Sequence, residues 1–287
     1  MRYILCLIAL LWWLGVGAQT LEELTEKAEA GDTEAMNLLG YRLLSGDDDT
    51  ERDAGAGLSW LAKAASLGDV KAISNLGWLY LDGSLVERNI EEGARYILQA
   101  AQKGLPVAQS ILGDLYRDGK GMPQDAVAAD SLYREAFERG LNDAGYKLYA
   151  LNADKYLALS PEEQVETGKY YYLRGAPSEG VKLFYLASDK GNADAYALLG
   201  DAYTRAIGVP YDYDLSLGYY VKGAVAGNPS AQFVIGELLE IFPDAFKNLD
   251  LPEDVSEDPF YWYDKAASSG VTDADSATRR LLSESAN

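Results

Sequence analysis

Carboxylates, tyrosines and lysines are the side chains of this chain that could do chemistry. The sequence contains no histidine, the commonest general base and metal ligand in proteins. Its one cysteine, Cys6, lies in an apolar N-terminal run, so the rest of the chain offers no thiol nucleophile. Neither a Gly-Lys-Ser/Thr phosphate loop nor a Gly-x-Ser-x-Gly elbow occurs. Any catalysis would therefore depend on carboxylates.

Three carboxylates share one spacing. Asp114, Asp201 and Glu237 each lie ten residues after a member of a recurring glycine series. Two carboxylates roughly 5–10 Å apart are the machinery of glycoside hydrolysis. Acids at one repeated position are also typical of a solvated helix face, and we favour that interpretation. We predict that the chain is not an enzyme and has no catalytic residues, cofactor or metal site.

The glycine series is the strongest regularity in the sequence. Most intervals are 36 or 37 residues, with one of 51 and one of 43. A repeat of this length indicates a solenoid of stacked helix pairs, whose long surface usually binds partners. The series is Gly31, Gly68, Gly104, Gly140, Gly191, Gly227 and Gly270.

Small residues recur at fixed distances after each of these glycines. Alanine always stands four residues on, a large aliphatic residue usually eight on, and a second glycine often nine on. Residues spaced by four share one helical stripe. Glycine costs about 1 kcal/mol relative to alanine inside a helix, so the second glycines predict a neighbouring helix too close for a side chain. They are Gly40, Gly77, Gly113, Gly200 and Gly236.

A second helix is predicted before each repeat glycine. An aromatic residue usually stands seven or eight positions before it, and an alanine four before it. Trp60 and Trp262 fall on these core positions and are expected to pack inside. The glycine then ends the helix, and Asp69, Asn192 and Asn228 suit the start of the next.

The repeat carries a family resemblance. The segments AASLGDVKAISNLGWLYLDG and LYREAFERG resemble the Sel1-like repeat, a relative of the tetratricopeptide repeat, and ALLGDAYTRAIGV with GYYVKGAVAGN is another good copy. The resemblance covers residues 21–282. It implies an all-α, right-handed α-solenoid of about six antiparallel helix pairs plus a terminal capping helix, used as an adaptor or scaffold. The repeats are expected near 28–64, 65–100, 101–136, 137–187 (irregular), 188–223 and 224–266, with the capping helix at 271–283.

Two intervals depart from the period. Ser160-Pro161-Glu162-Glu163 is typical of a helix start, which predicts one helix over 160–173 and another from Pro177 to Lys190. Pro252 lies within the acidic segment 244–258, and Pro243 and Pro259 lie directly beside it. This pattern predicts a loop between helices. Neither this segment nor Asp47-Asp48-Asp49 has the acid spacing of an EF-hand, so we favour solvated loops over calcium sites.

The net charge predicts the kind of partner that the protein binds, and the N-terminal residues predict its location. The formal net charge of −20 disfavours nucleic acid, which needs basic patches, and suits a basic protein or peptide. Surplus acid also simply keeps an exported protein soluble. Residues 1–18 have the charged start, apolar core and small-residue exit of a signal peptide. We expect export to a bacterial periplasm, or secretion, with no integral membrane segment after cleavage; the oligomeric state is left open.

The resemblance to tetratricopeptide-like stacks implies that first helices line a concave groove. Offsets six, ten and thirteen share its exposed phase, and they carry aromatic and charged residues typical of binding hot spots. The competing interpretation is that neighbouring turns bury some of them. The predicted partner-binding residues are Tyr41, Trp78, Asp114, Arg117, Asp201, Phe233 and Glu237.

These observations favour an exported, non-catalytic scaffold that binds a protein or peptide. The alternative is an envelope enzyme or accessory protein that acts on or binds cell-wall or polysaccharide components through carboxylates and aromatics. A carbohydrate binder would be recognised by glycans that quench Trp78 fluorescence.

The signal peptide makes a direct prediction. When the full chain is expressed in a bacterium with its own N-terminus, we expect the purified protein to begin at Gln19, because Val16 and Ala18 are the small residues that a signal peptidase requires. Intact-mass measurement checks this, with Ala18→Arg as the uncleaved control. A wild-type chain that keeps residues 1–18 would contradict it.

Overall fold

The protein is described by a computed structural model over residues 20–46, 50–243 and 255–285, the last three by backbone alone. The predicted signal peptide, Asp47-Asp48-Asp49 and residues 244–254 of the acidic segment lie outside these ranges. What they do therefore stays a prediction.

The described ranges contain fifteen α-helices and no β-strand, so the predicted all-α class is confirmed. In chain order they are α1 (Leu21–Glu29), α2 (Thr33–Ser45), α3 (Ala54–Ser66), α4 (Val70–Asp82), α5 (Ile90–Gln102), α6 (Pro106–Asp118), α7 (Ala126–Glu138), α8 (Asn142–Leu157), α9 (Pro161–Leu173), α10 (Pro177–Ser188), α11 (Ala193–Arg205), α12 (Tyr213–Val225), α13 (Pro229–Ile241), α14 (Pro259–Ser268) and α15 (Thr272–Ser285).

Six pairs of consecutive helices make the most extensive contacts: α2/α3, α4/α5, α6/α7, α9/α10, α11/α12 and α13/α14. This confirms the six predicted pairs and the terminal helix from Thr272. The chain divides into two compact units at residue 144, within α8. Inside each unit the second helix of a pair also packs on the first helix of the next, which is the sequential stacking of a helical-repeat solenoid.

The repeat glycines end the second helices, as predicted. Gly68 has a φ of +92°, a left-handed conformation that glycine adopts without steric cost. This turn lets the Gly68 and Asp69 amides donate to carbonyls of the last turn of α3, and the Asp69 carboxylate then accepts from the Ala72 amide at 2.7 Å. Asn192 and Asn228 start α11 and α13 in the same way.

The second glycines lie where two helices of a pair touch, also as predicted. A Cβ atom on Gly113 would lie 2.6 Å from Cε1 of Tyr133, far inside normal carbon contact. The corresponding distances are 2.9 Å from Gly200 to Tyr220 and 2.7 Å from Gly236 to Tyr263. Gly40 and Gly77 face Leu61 and Ile97 at 2.7 and 2.8 Å. Each pair is therefore held together by a large side chain resting on a bare stretch of backbone.

The long interval after Gly140 contains three helices, α8, α9 and α10, instead of two. The start of α9 is confirmed: the Ser160 hydroxyl accepts from the Glu163 amide, and the Glu163 carboxylate accepts from the Ser160 amide at 2.9 Å. The pair α9/α10 repeats the close contact of the others, because Phe184 rests on Gly168. The irregular repeat thus keeps the packing rule of its neighbours.

The tryptophans of the second helices pack inside. Trp262 is buried and donates its indole N–H to the carbonyl of Ser256 at 2.8 Å, while Trp60 lies partly buried against the cluster around Leu39. Both placements agree with the sequence prediction. Within the ranges that the structure describes, no helix combines the length and the apolar character that a membrane crossing requires.

The glycine contact predicts a stability effect. Gly113→Val should lower the free energy of unfolding by about 1–3 kcal/mol, because the new side chain must displace the buried ring of Tyr133. Gly218→Ala is the matched control: Gly218 lies inside α12 with no atom near a Cβ position, so alanine should raise stability slightly. Chemical denaturation measures both. Equal effects of the two substitutions would contradict the close-contact account.

Candidate partner-binding surface

All seven predicted partner-binding residues lie on first helices of their pairs. In the first unit, Tyr41 is on α2, Trp78 on α4, and Asp114 and Arg117 on α6. In the second unit, Asp201 is on α11, and Phe233 and Glu237 are on α13. The structure brings them together in small groups, each with its own local chemistry.

Tyr41 and Trp78 form the aromatic group of the first unit. Both are partly buried and pack against one cluster, which includes Leu44 and Leu76. Burial, with a smaller contribution from the Asp82 carboxylate, raises the pKa of Tyr41 to about 12. Each ring therefore shows only part of its surface to solvent, and their role in binding stays a prediction.

The helices that carry these two rings are joined directly. The Asn75 side-chain amide on α4 donates to the Asn37 oxygen on α2 at 2.9 Å. Lys71 on α4 lies 3.7 Å from the Glu34 carboxylate on α2, in an exposed ion pair that contributes little. Neighbouring first helices thus present their side chains on one connected surface.

Asp114 and Arg117 belong to a polar network at the end of α6. The Tyr133 hydroxyl donates to Asp114 Oδ1 at 2.8 Å, and Arg117 Nη1 lies 3.1 Å from the same oxygen. Arg117 Nε and Lys120 Nζ donate to the two oxygens of Asp118, both at 2.8 Å. These two hydrogen bonds lower the pKa of Asp118 to about 2. Asp114 is thus fixed by a tyrosine and an arginine, which suits a positioned anionic contact.

Asp201 has a similar surrounding in the second unit. Its Oδ1 lies 2.9 Å from Nε of Arg205, one turn further along α11. Partial burial raises the pKa of Asp201, and Arg205 opposes that rise. The Tyr220 ring rests on the preceding residue, Gly200. The aspartate therefore sits at the edge of the close contact between α11 and α12.

Phe233 and Glu237 meet in a cleft of about 400 Å³ lined by α13, α14 and α15. The Phe233 ring lies 5.7 Å from the Tyr263 ring and forms part of the apolar wall. The other lining residues are Glu240, Ile241, Tyr263, Asp273, Ser276, Ala277 and Arg280. We call this the α13–α15 cleft.

The carboxylates of the cleft differ in their partners. Glu240 accepts from the Tyr263 hydroxyl at 2.8 Å and is held through both oxygens by Arg280. Glu237 and Asp273 form no ion pair with any residue that the structure describes. Partial burial raises the pKa of Glu237, and the facing carboxylates of Asp273 and Glu240 raise it further. The cleft therefore contains one neutralised and two unneutralised acids.

Three charged residues of this cleft, Glu240, Asp273 and Arg280, were not predicted from the sequence. Glu240 stands thirteen residues after Gly227, the offset that predicted Arg117, so its signal was present. Asp273 and Arg280 belong to the terminal helix, which was expected only to cover the core. Their approach to α13 depends on how α15 packs, and no spacing in the sequence contains that angle.

A second cavity of about 340 Å³ lies between α5, α6 and α7 and contains none of the predicted residues. Its polar groups serve the fold: the Gln109 amide donates to Glu135 at 2.8 Å, and Arg139 donates to the Gly104 carbonyl at 2.8 Å. Over the described ranges, no three or more carboxylates are grouped so as to hold a metal ion.

The chain matches a protein-family model, and the matched segments follow the repeat pattern of the sequence. The Sel1 repeat model accounts for six segments, and one of them, 70–105, coincides with the pair α4/α5. No protein with a curated description matches this chain. The six matched segments are 33–69, 70–105, 106–141, 164–192, 193–228 and 260–271.

Several solved structures are similar. A protective antigen of uropathogenic Escherichia coli is 26% identical, with a TM-score of 0.43. The match covers 91% of this chain and 59% of that one, so this chain spans less than two thirds of its length. A Sel1 repeat protein of Oxalobacter formigenes is 23% identical over 91% of this chain and 90% of its own, with a TM-score of 0.41. Cysteine-rich protein B of Helicobacter pylori is 22% identical over 45% and 96%, with a TM-score of 0.36.

The cleft predicts a pH-dependent gain of stability. Because the pKa of Glu237 is raised, the native state holds its proton more tightly than the unfolded chain, and the ionised form destabilises the fold above that pKa. Glu237→Gln should therefore raise Tm at pH 7 and leave it unchanged near pH 3, where the acid is protonated in both states. Thermal denaturation at both pH values measures this.

Glu240→Gln is the matched control, one turn away on the same helix. It should lower Tm at pH 7, because it removes the carboxylate that holds Arg280 and Tyr263. A fall of Tm in both variants would contradict the assignment of Glu237 as unneutralised.

Proposed function

This chain belongs to the Sel1 repeat family, and we propose that it is an exported, non-catalytic scaffold that binds a protein or peptide partner through its first helices. Proteins of this family are generally protein-interaction scaffolds. For this chain we propose in addition that it is exported, that its first helices form the binding surface, and that its partner is basic.

One observation supports the surface above all others. In five repeats the ninth position after the repeat glycine is a glycine in tight contact with the second helix, and the tenth position is aromatic in two repeats and acidic in three. A constant packed residue followed by a variable surface residue is what a binding scaffold needs, because the backbone is fixed while the contacts vary. The tenth-position residues are Tyr41, Trp78, Asp114, Asp201 and Glu237.

The chemistry of the surface supports a basic partner. Three of its four charged residues are carboxylates, and the chain as a whole carries a net charge of −20. Aromatic residues beside charges are the usual composition of interface hot spots. Long-range attraction would then speed the association of a basic protein or peptide.

An envelope enzyme has less support. Asp114 and Asp201 each lie within 3.1 Å of an arginine nitrogen one turn away on the same helix, and ion pairs of this kind are the ordinary chemistry of a helix surface rather than of a paired-carboxylate catalytic site. Export is supported by the pattern of residues 1–18, which the predicted cleavage at Ala18 tests separately.

Site-specific photo-crosslinking in the source organism tests the proposed function. A photoreactive phenylalanine analogue replaces Tyr41 or Trp78 in the full chain, and Val127, which is 81% exposed on the second helix α7, serves as the control position. We expect the same envelope protein to be captured from both first-helix positions and not from Val127.

Two results would contradict the proposal. One is equal capture from Val127, which would indicate non-specific contact. The other is the absence of any captured partner together with a hydrolytic activity that Asp114→Asn or Asp201→Asn abolishes, since that result would establish the enzyme.

A further inference from the structure

The α13–α15 cleft combines an apolar wall with an acidic rim. Phe233, Ile241 and Ala277 supply the apolar surface, and the Ile241 side chain is 66% exposed at the end of α13. The exposed residues Glu237 of α13 and Asp273 of α15 form the acidic rim. The volume of about 400 Å³ falls within the range of small-ligand sites and can hold one long side chain with its flanking backbone.

The charges on the rim are unbalanced. Among the described residues, the nearby cations are already engaged: Arg280 Nη2 donates to both oxygens of Glu240, and Arg279 lies 2.6 Å from the Asp275 carboxylate. Glu237 and Asp273 both line the cleft without such a partner, and the negative charge of Asp273 repels that of Glu237 and raises the pKa of Glu237. A cation placed between them would remove this repulsion.

The nature of the cation follows from the cleft. A second copy of this chain is disfavoured, because it would bring another net charge of −20 against the acidic rim. Among the cleft residues that the structure describes, a bare metal ion would find only Glu237 and Asp273 without an ion pair, beside an apolar wall. An arginine side chain fits both the two carboxylates and the apolar wall. Its planar guanidinium can bridge two carboxylates while its aliphatic stem lies on an aromatic ring.

We propose that the α13–α15 cleft binds an arginine side chain of a basic segment in the partner, with the guanidinium between Glu237 and Asp273 and the stem on Phe233. This rests on the proposed function and names the partner chemistry of one part of the surface. Lysine fits less well, because its ammonium is a point charge that cannot present parallel N–H groups to two carboxylates.

Titration of the ¹⁵N-labelled full chain with short peptides tests the site. The probes are acetyl-Gly-Ser-Arg-Ser-Gly-amide and the same peptide with lysine or citrulline in place of arginine. We expect the arginine peptide to shift amide resonances of 233–241 and 272–280. We expect citrulline, its neutral isostere, to bind at least tenfold more weakly, and lysine to bind more weakly as well.

Variants identify the residues responsible. Glu237→Gln and Asp273→Asn should each weaken binding of the arginine peptide at least threefold. Glu26→Gln, an equal loss of charge at an exposed glutamate of α1 in the other unit, should change nothing. Circular dichroism confirms that each variant is folded.

Three outcomes would overturn the inference: citrulline or lysine binding as tightly as arginine, shifts confined to other helices, or no effect of the two cleft variants. Each of these leaves the scaffold proposal intact if crosslinking from Trp78 still captures a partner. If crosslinking captured no partner while the arginine titration gave the expected shifts, the scaffold proposal would be contradicted and the arginine site in the cleft would stand.

Discussion

The contact between a bare glycine on one helix and a large side chain on its partner is the interaction on which this structure depends. Gly113 with Tyr133 and Gly236 with Tyr263 bring two backbones closer than any other residue would allow. The ring fills the space completely, because protein interiors are close-packed. Each pair becomes a stiff layer, and apolar clusters between second and first helices join the layers within each unit.

This contact also decides where the surface chemistry stands. A residue directly after the packed glycine starts at the edge of the helix interface, so its backbone is fixed while its side chain reaches outward. The buried ring often supplies the support: the Tyr133 hydroxyl holds Asp114, and the Tyr263 hydroxyl holds Glu240. Burial and these carboxylates keep the pKa of both tyrosines above its usual range, so they remain neutral donors. The same glycine–tyrosine pair thus holds two helices together and positions a carboxylate at the surface.

The helix boundaries and the close helix contacts were predictable from residue spacing. The positions of side chains between whole helices were not, for a physical reason. Helix starts at Asp69 and Ser160, helix ends at Gly68 and the close contacts at Gly113 depend on local rules that act within one or two turns. The exposure of Trp78 and the approach of α15 to α13 depend on the packing of whole helices. A period of 36 residues gives the order of the layers but not the angle or depth at which a given side chain meets its neighbour.

A double-mutant cycle at Gly113 and Tyr133 tests the central contact most directly. Gly113→Ala alone should destabilise the protein, because the methyl group meets the ring. In a Tyr133→Leu background the same substitution should cost little or even stabilise, since the space is free and alanine favours the helix over glycine. A coupling energy of about 1 kcal/mol or more is the result that the account predicts. Additive effects of the two substitutions would contradict it.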